Sequence, residues 1–576
     1  MVTTFSDGKR EVSNLGLGVD METCAYVDYL DTRQGYLFST QVTAKKALET
    51  FGEAGIQAIK AEIDGLLQKK VFTGILKDNL TETQRKRIIR MSCFVKEKRD
   101  SKGNFIKLKA RLVAGGHMQD RSLYNPEDTS SPTVSTSSIF SIISTGVSEA
   151  RSFMSFDISM AYLNADMKDE VFMTLDPEMT RILVEQDSSG TFARNISTDG
   201  RVTVKLNKAL YGCIQSAKLW YDHLSKFLMT IGFSPNPVDP CVFNRLSHSG
   251  KQTTLAIHVD DGLATSEDVE DLNLLKTQLM KKFEEMECNI AEQKLEYLGM
   301  QIDISDADKA VLTMEKYITD ILTENEVTTV AETPAANNLF AIEESPRLSE
   351  EENKKFHRIV AQLLYLATRT RPDIMLPITF LCSRVCQATQ QDNTKLKRVL
   401  SYLNSTKELG IVLGSKGEEV SLSVYADASY AVHADYKSHG GIVISHNRGP
   451  ALVKCSKQKI VTKSSTEAEL VTLSDAVSLA AYNIEFLKGQ GYNVSATLYQ
   501  DNTSTICLAK NGRSNSDRTK HIGIRYYFVK QYLEDGTMKV EHCPTLEMVA
   551  DILTKPLQGE LFRKLRDLLL GYNRRE

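Results

Sequence analysis

The sequence predicts a multidomain protein that combines α/β and α+β architecture. Its 576 residues, 41% hydrophobic and 25% charged, are enough for several hydrophobic cores of ordinary globular composition. The first half alternates strand-like segments with helical patterns, and two of its predicted strands end in aspartates. Beyond residue 412 the order changes to a run of strands followed by strand–helix alternation, which is typical of a compact α/β domain.

The N-terminal part of the sequence contains three distinct segments. Residues 1–43 lack a sustained period and are expected to form a poorly ordered leader, whereas apolar residues recur at helical spacing over 44–70. Two strands are predicted on either side of a turn at 101–104. The second of these strands carries basic residues at alternate positions, including Lys109 and Arg111, so one face of the hairpin should be cationic.

Two aspartate-bearing segments follow in the first half. The apolar run before Asp157 ends at that residue, so its carboxylate should stand at a strand end. Residues 253–259 form a predicted strand, and Asp260, Asp261 and Gly262 are expected to form the tip of a hairpin. If the two strands are neighbours, Asp157 and Asp260 can hold two Mg²⁺ ions and support phosphoryl transfer. Asp-Asp-Gly is also a common plain turn, so both interpretations stay open on the pair alone.

Four acids of the second half lie in different local settings. Asp427 and Asp501 each end a predicted strand, and Glu469 and Asp551 fall on or near predicted helices. Carboxylates that meet at one sheet edge repel one another and need cations, for which Mg²⁺ is suited. Each acid also has an ordinary structural explanation, since Thr466 and Glu469 fit a helix capping box and strand-end aspartates often cap turns.

Cysteine spacing, hydropathy and charge indicate which class of protein this is. The ten cysteines are scattered without CxxC pairs, which indicates reduced thiols. We expect an intracellular protein that does not span a membrane, because no apolar run reaches the length of a span and the opening residues lack the apolar core of a secretory signal. The net charge of -4 disfavours polyanion binding, but seven basic residues stand against two acids over 96–111, and a second basic zone covers 513–530.

Blocks of sequence carry a resemblance to a known family. In the first two thirds they are KARLVAGG, FDISMAYLNADM, KALYGCIQSAKLWYDHL, HVDDG, LEYLGMQI and LLYLATRTRPDI. The chain resembles, over nearly its whole length, the reverse transcriptase region of copia-type retrotransposon Pol polyproteins. That resemblance implies a right-hand polymerase followed by an RNase H-like α/β domain. The implied parts are fingers and palm over 44–330, a helical thumb or connection over 331–412, and the RNase H-like domain over 413–576.

The resemblance also implies roles for residues of the polymerase. Asp157, Asp260 and Asp261 would be catalytic metal ligands. The residues implied to bind the incoming nucleotide are Lys109, Arg111, Tyr162, Tyr211 and Gly212. The residues implied to grip the primer are Leu298, Gly299 and Met300. Tyr162 would exclude a ribose 2′-hydroxyl, or it is a core aromatic residue. Trp220 is expected to be a core residue of a helix more than a platform on which a base stacks.

A second set of blocks, KSSTEAEL, DNTSTICLAKNG, RTKHIGIRYYFVK and ADILTKP, resembles the terminal domain of the same family. The residues implied to be catalytic and to bind a second pair of metal ions are Asp427, Glu469, Asp501 and Asp551. His542 would shuttle a proton or simply be a satisfied strand histidine. The sequence departs from the family at His258, where a tyrosine is usual, and at Ala217-Lys218, where Pro-Arg is usual.

The expected function is RNA-directed DNA polymerase with RNase H activity, using two Mg²⁺, or Mn²⁺, at each site. The expected partners are an RNA template, a DNA primer, RNA–DNA hybrid and deoxynucleoside triphosphates, together with other Pol or Gag products. No association with a membrane is expected. The expected locations are cytoplasmic virus-like particles and the nucleus. The alternative is a catalytically silent or host-adopted remnant that binds RNA or hybrid. An integrase fits less well, since it has three acids and an upstream zinc module.

Overall fold

The computed structural model describes residues 2–4, 10–12, 42–43, 49–99, 105–283, 285–511 and 523–573. The predicted leader over 1–43 therefore lies almost wholly outside the described residues, as does the predicted turn at 101–104. Within the described part the chain has a mixed α/β architecture with several sheets, as the sequence predicts.

The N-terminal sheet carries the cationic hairpin. In spatial order its strands are Val42–Thr43, Ile89–Arg99, Phe172–Thr174, Thr203–Leu206 and Phe72–Ile75, with Phe105–Ala114 paired to the second of them. Helix Glu53–Gln68 lies within the predicted range 44–70, of which residues 44–48 fall outside the described residues. It packs on strand Phe105–Ala114 through its apolar stripe. These elements share a hydrophobic core of their own.

The central sheet positions the first group of acids. Its six strands, in spatial order, are Ser234–Pro235, Val242–Leu246, Gln252–His258, Asp261–Ser266, Ser152–Ile158 and Met286–Ala291. All neighbouring pairs are antiparallel. The two aspartate-bearing segments are thus adjacent in one sheet, although they are remote in sequence.

A small sheet follows the central one in the chain. Its strands are Lys294–Tyr297, Met300–Asp303, Ala310–Thr313 and Ile411–Leu413. The last strand comes after the helical region and straddles residue 412, where the sequence places a domain edge. The division of the chain into domains remains a prediction.

The C-terminal sheet has five strands. In spatial order they are Gly449–Lys457, His439–His446, Leu422–Ser429, Ala496–Gln500 and Met538–His542. The first three are antiparallel and the last two run parallel to Leu422–Ser429. Helix Ser465–Gly489 covers this sheet. The middle strand is therefore buried on both sides, as its almost unbroken run of buried residues shows.

The other α-helices of the described residues surround these sheets. They are Glu82–Lys86, Pro126–Thr129, Thr136–Ser148, Pro177–Gln186, Ser216–Thr230, Val269–Lys282, Glu315–Glu324, Glu350–Ala367, Met375–Cys382, Gln390–Asn404, Thr503–Asn511, Gly523–Glu534 and Gly559–Leu569. One hydrophobic core runs without a break from the central sheet through the helices of the 350–404 region to the C-terminal sheet.

Helix Ser465–Gly489 bridges the C-terminal and central sheets. Near its end, Asn483 accepts a hydrogen bond from the Ser137 hydroxyl at 2.6 Å, and the Phe486 carbonyl accepts one from the Asn236 amide at 3.0 Å. Among the described residues it is also the one helix with the length and hydropathy of a membrane span. Since 72% of that apolar window is buried inside the fold, its composition is that of a core helix.

Candidate active sites

Three aspartates of the central sheet lie side by side at one end of two neighbouring strands. Asp157 occupies the penultimate position of Ser152–Ile158, and its cross-strand partner is Asp261. The Ile158 amide donates to the Asp260 carbonyl at 2.9 Å, which brings the hairpin turn against the same strand end. The fold thus brings together all three acids proposed for the first site.

The hairpin differs by one residue from the sequence prediction. The turn consists of Val259 and Asp260, while Asp261 and Gly262 already belong to the following strand, so the predicted Asp260-Asp261-Gly262 tip is wrong. A Cβ at Gly262 would lie 2.1 Å from the Phe156 ring, so this glycine has to face that ring. Side-chain packing across the sheet, which the turn sequence alone does not reveal, therefore sets the register.

Val259 adopts a backbone conformation that is costly for a β-branched residue. Its φ is 59°, the positive value required at the first central position of a type II′ turn and usually supplied by glycine. The indole nitrogen of Trp220 donates to the Val259 carbonyl at 2.6 Å. Trp220 is 1% exposed, as expected for a core residue, but it also holds the turn that carries Asp260. No sequence pattern indicates that second role.

Burial and the repulsion between neighbouring carboxylates raise the pKa of one acid in the first site. Burial, followed by the charges of Asp260 and Asp157, raises the pKa of Asp261 to about 7. Glu287 flanks Asp157 from the other side as its partner on strand Met286–Ala291, and sequence reasoning missed it. Such a group of oxygen ligands is stabilised by divalent cations, which neutralise the charge and accept carboxylate oxygens directly.

Aromatic and cationic side chains connect the N-terminal sheet with the first site. The Arg111 guanidinium lies over the Tyr211 ring at 4.5 Å, and the Tyr211 and Tyr162 rings are 4.6 Å apart. Tyr162 belongs to the short helix Ala161–Asn164, just beyond the strand of Asp157. Lys109, two residues before Arg111 on the same strand face, is exposed. Arg111, Tyr211 and Tyr162 therefore form one connected row, and Lys109 lies on the same strand as Arg111.

Gly212, the fifth of these residues, lies where two backbones meet. Its φ is 92°, and an added Cβ would be 2.1 Å from the Ala114 carbonyl oxygen. The Ala114 amide donates to the Tyr211 carbonyl at 2.7 Å. A glycine is needed here for packing, whatever else it contacts.

The proposed primer grip is a tight turn of the small sheet. Leu298 and Gly299 have φ values of 49° and 76°, so both central residues are left-handed, whereas Met300 begins the next strand and is 1% exposed. The Tyr365 hydroxyl donates to the Leu298 carbonyl at 3.1 Å, and the Arg369 guanidinium lies 3.9 Å from the Tyr365 ring centre. Leu298 and Gly299 form the turn, and Met300 anchors it in the core.

The four acids of the second half gather at one edge of the C-terminal sheet. Asp501 directly follows strand Ala496–Gln500, as predicted, and Asp551 lies on the short helix Val549–Leu553. Asp427 does not end its strand as predicted, because the pairing of Leu422–Ser429 with His439–His446 continues for two residues beyond it. Ligand oxygens of these three aspartates all lie within 4.8 Å of one another. This spacing lets the three share a metal ion.

Glu469 joins this group instead of capping its helix. The N-cap of Ser465–Gly489 is Ser464, whose hydroxyl accepts from the Glu467 amide at 3.2 Å, while the Glu467 carboxylate accepts from the Lys463 amide at 2.7 Å. The alternative explanation of Glu469 as part of a Thr466–Glu469 capping box is therefore excluded. Burial, followed by the charges of Asp427 and Asp501, raises the pKa of Glu469 to about 9.

The second site also contains a cation that sequence reasoning missed. The Lys555 ammonium lies 2.8 Å from Asp551 Oδ1 and 3.2 Å from Asp427 Oδ1. Burial and the Asp427 charge raise the pKa of Asp551 to about 7, and the same causes raise that of Asp501. The position of Lys555 four residues after Asp551 was the available signal in the sequence.

Two further expectations concern the surroundings of the second site. His542 is exposed at the end of its strand, where its cross-strand partner is Gln500, next to Asp501. The basic segment 513–530 lies partly outside the described residues, and within the described part Tyr527 is exposed whereas Phe528 packs on the core.

Comparison of the sequence with known proteins identifies the family of this chain. Residues 79–336 match the family model described as reverse transcriptase (RNA-dependent DNA polymerase). Over 480 residues the chain is 31% identical to the retrovirus-related Pol polyprotein from transposon RE1 of Arabidopsis thaliana, covering 81% of this chain and 30% of the relative. The chain belongs to the copia-type retrotransposon Pol proteins.

Other relatives of this copia-type Pol chain come from different hosts. The Pol polyprotein from transposon TNT 1-94 of Nicotiana tabacum is 27% identical over 494 residues, covering 84% of this chain and 36% of the relative. The transposon Ty1-ER2 Gag-Pol polyprotein of Saccharomyces cerevisiae is 25% identical over 534 residues, covering 89% of this chain and 29% of the relative. The chain thus spans about a third of the length of these curated relatives.

Among solved structures, the copia-type Pol chain matches a prototype foamy virus protease–reverse transcriptase at 12% identity, covering 86% of this chain and 54% of that one. The TM-score of 0.23 is too low for this likeness to carry any argument.

Proposed function

We propose that this chain is an RNA-directed DNA polymerase with RNase H activity that works by two-metal phosphoryl transfer at each of two sites. The observation that carries the proposal is the convergence of Asp157, Asp260 and Asp261 at adjoining strand ends within a reverse transcriptase domain. The separate carboxylate group around Asp427 supports the second activity.

At the polymerase site, Asp157 and Asp260, with Asp261 beside them, would hold two Mg²⁺ ions, or Mn²⁺ in their place. Bound ions would supply charge stabilisation to the entering and leaving oxygens. Lys109 and Arg111 neutralise the triphosphate of the incoming deoxynucleotide, because guanidinium and ammonium groups pair well with phosphate oxygens. Tyr162 bears on the sugar and disfavours a ribose 2′-hydroxyl.

Two loops complete the proposed polymerase. Tyr211 orients Arg111 by stacking with it, and Gly212 lets the loop approach strand Phe105–Ala114. The turn at Leu298 and Gly299, anchored by Met300, contacts the end of the DNA primer. The proposed fingers and palm cover 44–330, the thumb or connection 331–412, and the nuclease domain 413–576.

At the nuclease site, Asp427, Glu469, Asp501 and Asp551 would hold a second pair of divalent ions. Bound ions would supply the charge that activates a water and stabilises the departing 3′-oxygen. The substrate is the RNA strand of the RNA–DNA hybrid that the polymerase makes. The exposed His542 beside Asp501 is placed to carry a proton to or from bulk water.

The test supplies the purified chain with a primed RNA template, deoxynucleotides and Mg²⁺. Asp260→Asn should abolish DNA extension and leave RNA cutting intact, and Asp501→Asn should do the reverse. Asp306→Asn, a substitution at an exposed loop aspartate, is the matched control and should change neither activity.

Three outcomes would count against the proposal in different ways. Loss of both activities from either single variant, with folding retained, would refute two independent sites. Extension without RNA cutting would remove the nuclease half. Tight binding of RNA or hybrid with no product at all would favour the remnant that binds without chemistry.

A further inference from the structure

Both oxygens of Asp427 are already engaged by two consecutive residues. Oδ1 accepts from the Lys555 ammonium at 3.2 Å, and Oδ2 accepts from the Thr554 hydroxyl. The same ammonium donates to Asp551 Oδ1 at 2.8 Å. Lys555 therefore bridges two of the carboxylates that we assign to metal binding, so an ion that enters the site must compete with it.

The backbone that delivers Lys555 is fixed. The Thr554 carbonyl accepts from the Ser429 hydroxyl at 2.8 Å, and the Leu553 carbonyl accepts from the Cys455 thiol at 3.1 Å. The Lys555 amide itself donates to the Asp551 carbonyl at 2.8 Å. These bonds hold the backbone at Lys555, so the ammonium can leave the carboxylates by a rotation of its side chain alone.

That side chain has a route out of the site. The side chains of Asp427 and Asp551 are 1% and 3% exposed, whereas that of Lys555 is 36% exposed. A lysine stem has four rotatable bonds, so the ammonium can swing toward water while the backbone stays in place. The carboxylates have no such freedom.

Charge decides which cation the acids prefer. One ammonium brings a single positive charge to the three aspartates, so it holds Asp427 and Asp551 together without neutralising the cluster. Two divalent ions bring four positive charges and repel an ammonium at the same oxygens. The lysine is therefore a weak occupant of a strong cation site.

We propose that Lys555 is a displaceable internal counter-ion, which bridges Asp427 and Asp551 in the metal-free enzyme and leaves when divalent ions bind. It is a positioning residue that keeps the acids gathered and lowers the affinity of the nuclease site for metal. This inference rests on the proposed nuclease function.

The experiment measures Mn²⁺ binding by electron paramagnetic resonance in the full chain. A background carrying Asp157→Asn and Asp260→Asn silences the polymerase site, so that bound Mn²⁺ reports the C-terminal acids. Lys555→Met should bind Mn²⁺ about tenfold more tightly, since removal of one nearby like charge is worth at least that factor at a partly buried site. Lys555→Gln, which keeps hydrogen-bond donors but not the charge, should behave alike.

Two controls make the result specific. Lys539→Met removes an exposed lysine that pairs with Glu541 and should leave Mn²⁺ affinity unchanged. Lys555→Arg keeps the charge and should retain the weak affinity. In EDTA, the Lys555→Met variant should have a lower melting temperature than its background. Addition of Mn²⁺ should raise the melting temperature of the variant by more than it raises that of the background.

The failures are distinguishable. Unchanged or weaker Mn²⁺ binding by both folded, uncharged Lys555 variants would overturn the counter-ion role alone. If the background chain binds no Mn²⁺, or if Asp501→Asn in that background leaves binding intact, the proposed nuclease site itself is wrong.

Discussion

Trp220 is a core side chain that would support the proposed polymerase site through the turn that carries Asp260. Its indole N–H satisfies the carbonyl of Val259, whose left-handed backbone places Asp260 at the turn. A buried carbonyl that loses its partner costs roughly 1–3 kcal/mol, and here that cost would fall on a strained turn.

We therefore expect Trp220→Phe, which keeps an aromatic ring but loses the donor, to slow DNA extension about tenfold. Cleavage of the RNA strand of a hybrid should stay within about twofold, because the C-terminal acids lie on other elements. Single-turnover assays of both activities on the same preparation provide the measurement. Equal loss of the two activities would point to general destabilisation instead.

The ionisation of Glu469 makes the stability of the metal-free protein depend on pH. The pKa of this residue is about 9 in the folded chain and has an ordinary value of 4.5, so the folded state retains a proton that the unfolded state releases between these values. Stability should therefore fall as pH rises from about 5 to 9.

Glu469→Gln, which cannot ionise, should flatten that decline and raise the melting temperature at pH 8.5 in EDTA. Thermal melts at pH 5.5 and 8.5 provide the comparison. A slope identical to that of the parent would show that Glu469 is already ionised in the metal-free fold. Hybrid cleavage should be lost in the same variant.

At the scale of elements, the contact between strand Phe105–Ala114 and the Tyr211-Gly212 loop is a close approach of two backbones. Gly212→Ala combines a positive φ with a clash against the Ala114 carbonyl, so we expect it to destabilise the protein by about 2 kcal/mol or more and to raise the KM for deoxynucleotide.

Gly190→Ala is the matched control for Gly212→Ala. Gly190 also has a positive φ, of 65°, but an added Cβ would meet nothing within 4 Å. Urea unfolding of the two variants therefore separates the clash from the backbone strain. Equal destabilisation by the two would show that the loop readily shifts away from the strand.

Much of the local structure could be predicted from sequence pattern alone. Strand Ala496–Gln500 ends directly before Asp501, as predicted, because it is a short apolar alternation that stops at a clear break. The hairpin error arises where a neighbour distant in sequence decides the outcome, because the Phe156 ring faces Gly262. At the start of helix Ser465–Gly489 the choice is local, since Ser464 and Glu467 form the cap and Glu469 does not take part in it.

The candidate acids could be found in sequence, but their supporting residues could not. Lys555 and Trp220 act through contacts with residues remote in the chain, and a lysine or tryptophan in a helical pattern has many ordinary uses. Met300 is the reverse case. The resemblance assigns it to the primer grip because it lies within a recognised motif, yet its side chain is buried in the core.

For the molecule as a whole, the C-terminal sheet and its helix are packed against the polymerase half of the chain through helix Thr136–Ser148, which lies between them and the central sheet. Tyr492 receives a hydrogen bond from Arg151 at 3.2 Å and donates one to Glu149 at 2.8 Å, which adds to the contacts of Asn483 and Phe486. The hydrophobic core is continuous across this contact.

A cut in the exposed loop around Lys416 should therefore leave the two fragments associated. After insertion of a protease site there and cleavage, we expect co-elution in gel filtration under native conditions and separation only in denaturant. Both activities should survive the cut. Separation without denaturant would show that the continuous core contributes little to holding the halves together.

Helix Ser465–Gly489 carries Glu469 near its start, and its last turns contact helix Thr136–Ser148 and the segment that follows strand Ser234–Pro235 of the central sheet. Its 25 residues span about 37 Å at the usual rise per residue. A helix held at both ends keeps the distance between the two proposed sites constant. The RNA template would then be cut at a fixed number of nucleotides behind the point of DNA synthesis, and the remaining RNA fragments would share one characteristic length.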